Sequence, residues 1–78
     1  MLQNEFENPV ETAEERAARL NRLRSAEIAR RFAEIDRERI RPLAAIAAET
    51  ATDEDRNRLT ALEEEAKALR AELSGLEV

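Results

Sequence analysis

Carboxylates stand side by side at three places in this sequence, and paired carboxylates are what general acid–base catalysis requires. The three groups are Glu14/Glu15, Asp53/Glu54/Asp55 and Glu63/Glu64/Glu65. For such a pair to act as acid and base, one member must lie in a dry pocket that raises its pKa. All three groups fall where a helix begins or where a helix faces solvent. We therefore predict solvated surface carboxylates and no catalytic residue.

The residue types that other active sites use are missing. The chain has no cysteine and no histidine, which removes the usual thiolate and imidazole metal ligands and the commonest general base. It has no glycine-rich phosphate loop and no nucleophile with a base beside it. We expect no enzyme activity, no cofactor and no metal.

Arginine is the remaining residue type that could bind a ligand. Residues 16–41 hold nine arginines and four acids, a net charge of +5, and such a run could follow phosphates. The arginines are spread around the predicted helix and lack aromatic stacking partners. They would also face residues 53–73, where four bases and seven acids give −3. With a whole-chain charge of −5, nucleic acid is an unfavourable partner, and a small regulatory nucleic-acid-binding module is kept as the alternative function.

One narrow apolar seam organises the last third of the chain. Its members follow an unbroken heptad register: Leu59, Leu62, Ala66, Leu69, Leu73 and Leu76. A seam this narrow needs a second helix to cover it. We predict a heptad helix over 53–74 with Thr52 as its N-cap. Residues 75–78 form a tail, with Gly75 in the left-handed position of a Schellman motif.

The covering helix is predicted over 9–49. Two starts fit the sequence, one with Asn8 as cap before Pro9 and one with the capping box of Thr12 and Glu15. Both place the preceding residues in an N-terminal arm, which either frays or docks on a neighbour.

Pro42 interrupts this long helix. It has no backbone donor, and its ring crowds the preceding turn, so we expect a kink near 38–42 with the helix resuming afterwards. Residues 1–8 are then the flexible arm, and residues 50–52 are the turn. A turn this short makes the two helices antiparallel neighbours.

The apolar residues of the first helix share one broad face at about 100° per residue, and this face should pack on the heptad seam. The predicted hairpin core has nine members: Ile28, Phe32, Ile35, Leu43, Ile46, Leu59, Leu62, Leu69 and Leu73. The predicted fold class is therefore all-α. It is an antiparallel two-helix hairpin, coiled-coil-like, with a long Pro-kinked first helix.

Leu20 and Leu23 lie off this face. At about 1.5 Å per residue, the second helix covers the first only to about residue 27, so both leucines lie beyond its reach. Because so short a chain has little core, we expect self-association through these leucines into a four-helix bundle or a higher oligomer. The alternatives are that they are simply exposed, or that the helices fold only on a partner.

Location follows from what the sequence lacks. No apolar stretch approaches the roughly 20 residues that span a bilayer, so no membrane partner is expected. The first ten residues do not resemble a signal peptide. We expect a cytoplasmic protein when it is synthesised.

The stretch from Ile40 to Leu62 reads IRPLAAIAAETATDEDRNRLTAL, and Ala/Leu heptads rich in Glu follow to Leu73. Over about residues 28–74 this resembles small helical proteins, and C-terminal segments of larger ones, from the tail gene regions of tailed bacteriophages and prophages. Such segments usually have Gly before Thr-Ala-Thr, where this chain has Glu49. The resemblance implies a tail component or tail-assembly chaperone, with other phage structural proteins as partners and the virion as a further location.

Overall fold

The computed structural model describes residues 10–76. Within that range the chain forms three α-helices: α1 is Ala13–Glu38, α2 is Ile40–Ala47 and α3 is Asp53–Gly75. α1 and α2 are the two parts of one bent helix. The prediction of an all-helical chain whose first helix is kinked is confirmed.

A capping box begins α1. The Thr12 hydroxyl accepts the Glu15 backbone N–H at 3.0 Å, and the Glu15 carboxylate accepts the Thr12 backbone N–H at 2.8 Å. These reciprocal bonds satisfy two of the donors that a helix start leaves open. The other start considered, at Asn8 and Pro9, lies outside the described residues, as does the predicted arm over residues 1–8.

A single residue, Arg39, separates α1 from α2. Its backbone stays near helical geometry, with φ −87° and ψ −7°, and its carbonyl accepts the Leu43 N–H at 3.0 Å. Pro42 has no N–H to donate to the Glu38 carbonyl, so one bond is missing from the ladder. The result is a bend at the predicted place, and not a break.

A Schellman motif ends α2. The Thr50 N–H donates to the Ala45 carbonyl at 2.8 Å, and the Glu49 N–H donates to the Ile46 carbonyl at 3.0 Å. Glu49 holds the left-handed position of the motif, with φ 60°. Glycine is favoured at that position because it has no Cβ.

The same motif was predicted at Gly75, and that prediction is wrong. No glycine among residues 10–76 has a positive φ. α3 continues through Gly75, and its last turn is closed by the Leu76 N–H, which donates to the Leu73 carbonyl at 3.1 Å. An extended residue can end a helix in this way without a left-handed one.

α3 begins with a second capping box. The Thr52 hydroxyl accepts the Asp55 N–H at 3.1 Å, and the Asp55 carboxylate accepts the Thr52 N–H at 3.0 Å. Asp53 and Glu54 complete an acidic first turn, where the helix dipole favours negative charge. The start of α3 is therefore set by local hydrogen bonds.

Four ion pairs join α3 to the bent helix: Arg24–Glu72, Arg31–Glu65, Glu38–Arg58 and Arg39–Glu63. In three of them the position on α1 rises through 24, 31 and 38 while the position on α3 falls through 72, 65 and 58. This order is consistent with a helical hairpin. The body measures 71 × 23 × 15 Å, and its short axis fits a single layer of helices.

The core of this layer is small. Ile28, Ile35 and Leu62 are each 1% exposed, and Ala66 is 2% exposed. Around the cluster of Ile35, Leu62 and Ala66, two partly buried side chains complete the packing: Phe32 and Leu69. A core of this size makes the fold marginal unless further apolar surface is covered.

Candidate functional site

The nine residues predicted for the hairpin core fall into three groups in the structure. Three are buried: Ile28, Ile35 and Leu62. Four are half-buried: Phe32, Leu59, Leu69 and Leu73. Two are exposed: Leu43 and Ile46. The buried part of the predicted core therefore lies along α1 and the middle of α3, and in α2 the buried residue is Pro42, which the prediction did not place in the core.

Leu43 and Ile46 form a bend patch with Ile40. Ile40 is 63% exposed, Leu43 46% and Ile46 41%. The three residues are spaced by three along α2, so they follow one another along its surface. The sequence prediction placed Leu43 and Ile46 in the core, whereas the structure places them on the surface together with Ile40.

The register of the two helices explains this exposure. In the ion pairs, each step forward along the bent helix corresponds to one step backward along α3. If this register continues, Leu43 lies level with Asp53 and Ile46 lies level with Thr50. The first six residues of α3 are polar, and its first apolar seam residue is Leu59. α3 therefore has nothing apolar to place on the bend patch, and that polar start was visible in the sequence.

Leu20 and Leu23 form a second exposed pair, the overhang patch. Leu20 is 51% exposed and Leu23 is 54% exposed. α3 reaches further along α1 than the sequence estimate, because the Arg24 guanidinium bonds Glu72 at 2.5 and 2.8 Å. If the register of the ion pairs continues, Leu23 lies level with Leu73 and Leu20 lies level with Leu76, so α3 extends to about the level of both leucines. They stay half-exposed because of the face of α1 that they occupy, and not because α3 is too short.

Charge pairs border the core where α1 meets α3. Arg24, Arg31 and Arg39 each bond a glutamate of α3. The hydrogen bonds from Arg31 hold the pKa of Glu65 below its ordinary value, and those from Arg24 do the same to the pKa of Glu72. These carboxylates are therefore poised to stay ionised, the opposite of what a general acid needs.

The remaining carboxylates of the three groups are surface or capping residues. Six of them are exposed: Glu14, Glu15, Asp53, Glu54, Glu63 and Glu64. Asp55 is half-buried because it caps α3. Across residues 10–76 the acidic side chains nowhere gather into a set of three or more that could hold a metal ion. The exposed apolar patches are therefore the surface features that would gain most free energy from being covered by a binding partner.

Comparison with protein-family models, with curated proteins and with solved structures finds no match to this chain. Within the part of the chain that the structure describes, no helix combines the length and apolar character needed to cross a membrane. The candidate site consists of two exposed apolar patches on a thin layer of helices.

Proposed function

We propose that this protein is a non-enzymatic assembly component that acts through helix–helix contacts. Its working unit is an antiparallel two-helix hairpin that self-associates into a four-helix bundle or a higher oligomer. The observation that carries the proposal is the overhang patch, because α3 leaves the side chains of Leu20 and Leu23 half-exposed on α1.

The energy of this patch alone is modest. Fully burying a leucine is worth about 1.5–3 kcal/mol, so covering a half-exposed one adds about 1 kcal/mol. Four leucines in a dimer then contribute about 4 kcal/mol, which only equals the low end of the cost of association. The interface must therefore extend further, and the bend patch is the other large apolar surface that the described chain offers.

The resemblance to phage tail-region proteins supports an assembly role. It covers about residues 28–74, which are the later part of α1, the bend, the turn and nearly all of α3. Under this proposal the protein serves a tailed phage or prophage as a tail component or a tail-assembly chaperone. Its partners are further copies of itself and other structural proteins of the particle.

Solution mass tests the proposal. Light scattering after size exclusion should give a dimer or larger for the wild type and an 8.9 kDa monomer for Leu20→Asp/Leu23→Asp. The matched control is Ala61→Asp/Ala68→Asp, which adds the same charge at two exposed positions of α3. It should keep the wild-type mass, and circular dichroism should show all three proteins helical.

A second double variant, Leu43→Asp/Ile46→Asp, asks whether the bend patch joins the interface. A loss of mass there as well would support an interface that spans both patches. A wild type that is already a helical monomer would overturn self-association. The two patches would then be docking surfaces for a different protein.

A further inference from the structure

The structure divides the arginines of residues 16–41 into sets with different surroundings. The inner arginines, Arg24, Arg31 and Arg39, pair with α3. With Arg58 of α3 they also take up every carboxylate of this segment: Glu27, Glu34, Asp36 and Glu38. No carboxylate of residues 16–41 is left to neutralise the other arginines.

The outer arginines are Arg22, Arg30, Arg37 and Arg41. All four are exposed. Among the residues from 10 to 76, none of them has a carboxylate oxygen within 4.0 Å, whereas each inner arginine has at least two carboxylate partners. No ion pair within residues 10–76 therefore neutralises their positive charge, although the whole chain is acidic.

The outer arginines share one side of the bent helix. Arg30 and Arg37 each follow a buried isoleucine, Ile28 or Ile35, by two positions, which turns them about 200° around the axis. They thus point away from α3. Taken together, the nine arginines are spread around the helix. The inner arginines are paired with carboxylates, so the four outer arginines alone form a basic face about 28 Å long.

The residues between the outer arginines indicate what could bind there. Ala26, Ala29 and Ala33 are exposed and small. A protein interface is usually anchored by large apolar or aromatic side chains at its centre. The central part of this face, residues 25–36, exposes none, and the exposed Leu23 and Ile40 lie towards its two ends. Alanines instead let the helix approach a charged backbone closely while the guanidinium groups reach out on either side. Guanidinium groups also suit phosphate oxygens, which they can bond in pairs.

We propose that this outer face of the bent helix, formed by α1 and the start of α2, binds the phosphate backbone of a nucleic acid duplex. Binding to single strands depends on bases stacking on aromatic rings, and the only aromatic side chain in the described range, Phe32, packs against the core. Residues 22–41 include no asparagine or glutamine whose side-chain amide could read the edges of the bases. We therefore expect this face to recognise the phosphate backbone and not the base sequence. This proposal does not depend on self-association.

The salt dependence of such binding can be stated in advance. Four phosphate contacts give a slope of log K against log salt of about −3.6. Raising the salt from 50 to 200 mM should then weaken binding about 150-fold. Removing three of the four contacts should reduce the slope by about 2.7.

Fluorescence anisotropy with a labelled duplex DNA of random sequence is the test. The variant is Arg22→Gln/Arg30→Gln/Arg37→Gln. The matched control, Arg56→Gln/Lys67→Gln/Arg70→Gln, removes the same charge from exposed positions of α3. Circular dichroism checks that both are folded. We expect the outer variant to lose binding and most of the salt slope, and the control to change both only slightly.

Three results would overturn the proposal. The first is no binding to the duplex at 50 mM salt with protein up to about 100 µM, the weak end of non-specific affinity. The second is an equal loss in the two triple variants, which would reflect net charge alone. The third is binding of poly-glutamate but not of duplex, which would make the face a site for an acidic protein. Solution mass is measured separately, so a failed dimer and a failed duplex contact remain distinguishable.

Discussion

Arg31 on α1 donates to both carboxylate oxygens of Glu65 on α3, at 2.5 and 2.7 Å. The same guanidinium donates to Glu34 at 3.0 Å and to Glu38 at 2.8 Å. One side chain therefore joins α3 to two turns of α1. Solvent reaches this site, so its energy is screened, but the paired geometry specifies the register of the helices.

Arg31→Gln should lower the urea midpoint of unfolding, because Glu34 and Glu65 lose their ion-pair partner and Glu38 keeps only Arg58. Arg30→Gln is the matched control, since Arg30 is adjacent and has no ion pair among the described residues. It should leave the midpoint nearly unchanged. In 1 M NaCl the screening length falls to about 3 Å, so the difference between the two variants should shrink. A difference that persists unchanged in high salt would indicate packing of the arginine stem instead.

Stability should depend on pH through Glu65 and Glu72. Their pKa values are lower in the folded chain than in the unfolded one, where the ordinary value is 4.5. The folded state therefore holds these protons less tightly, and the ion pairs stabilise it fully above the unfolded pKa. This contribution is lost as pH falls through the folded pKa values. Thermal midpoints should stay level from pH 7 to about 5 and then decline below the unfolded pKa.

The double variant Glu65→Gln/Glu72→Gln tests that assignment. It should show a shallower decline in acid than the wild type. Glu54→Gln/Glu64→Gln removes two exposed carboxylates that have no ion pair in the described chain, and it should keep the wild-type profile. Identical acid profiles for the two double variants would show that other carboxylates dominate.

Substitutions at a buried and at an exposed isoleucine should have different effects on stability. Ile35 is 1% exposed and Ile40 is 63% exposed. Ile35→Ala should destabilise by about 2–5 kcal/mol through lost burial and a cavity, enough to abolish cooperative unfolding in so small a core. At a concentration where the chain is monomeric, Ile40→Ala should stay within about 0.5 kcal/mol of wild type. Urea melts followed by circular dichroism measure both, and equal losses would contradict the described core.

The cap of α3 offers a comparison of two threonines. Thr52→Ala removes the hydroxyl that accepts the Asp55 N–H and should cost about 1 kcal/mol. Thr60→Ala, at an exposed position inside α3, should stabilise by a few tenths of a kcal/mol because alanine is the better helix former. If thermal melts show no loss for Thr52→Ala, the turn is stabilised by other bonds.

Glu49 is the one non-glycine residue with positive φ in the described chain, at 60°. Glu49→Gly should stabilise by about 0.5–1 kcal/mol, since relief of the left-handed strain exceeds the added freedom of the unfolded chain. Ala48→Gly is the control, because Ala48 has φ −88° and glycine relieves no strain there. It should destabilise by about 0.5–1 kcal/mol. Denaturation midpoints that move in the same direction would contradict this account of the turn.

The sequence predicted best where one residue type determines a local structure. Pro42 cannot donate a backbone hydrogen bond, so a bend followed whatever the rest of the chain did. The heptad seam is apolar on one side only, so α3 had to lie on another helix. Thr12 was predicted as one of two possible caps of the first helix and Thr52 as the cap of the second, and each forms a capping box in the structure.

Burial depends on both helices at once, and this is where the sequence was insufficient. Leu43 and Ile46 have the helical phase of the core, but phase does not say what lies level with them. A shift of α3 by one turn would have changed that, and the register is set by ion pairs such as Arg31–Glu65. Gly75 shows the same limit of sequence-based prediction. Glycine can adopt the left-handed conformation, but its presence does not require it.

The candidate sites were predictable to different degrees. Leu20 and Leu23 were singled out because the two helices differ in length, and both are exposed in the structure. The outer arginines were not singled out, because composition counts all nine alike. The ion pairs in the structure, such as those of Arg24 and Arg31, show which arginines are neutralised by carboxylates and which are not.

The dimensions of the helical layer, 71 × 23 × 15 Å, also govern how the chain moves in water. Its radius of gyration is 20.3 Å, whereas a compact domain of this length would have about 11 Å. The hydrodynamic friction of such a rod exceeds that of a sphere of equal mass, and it tumbles more slowly end over end than about its long axis. On a gel-filtration column calibrated with globular standards, even a single copy would therefore elute early.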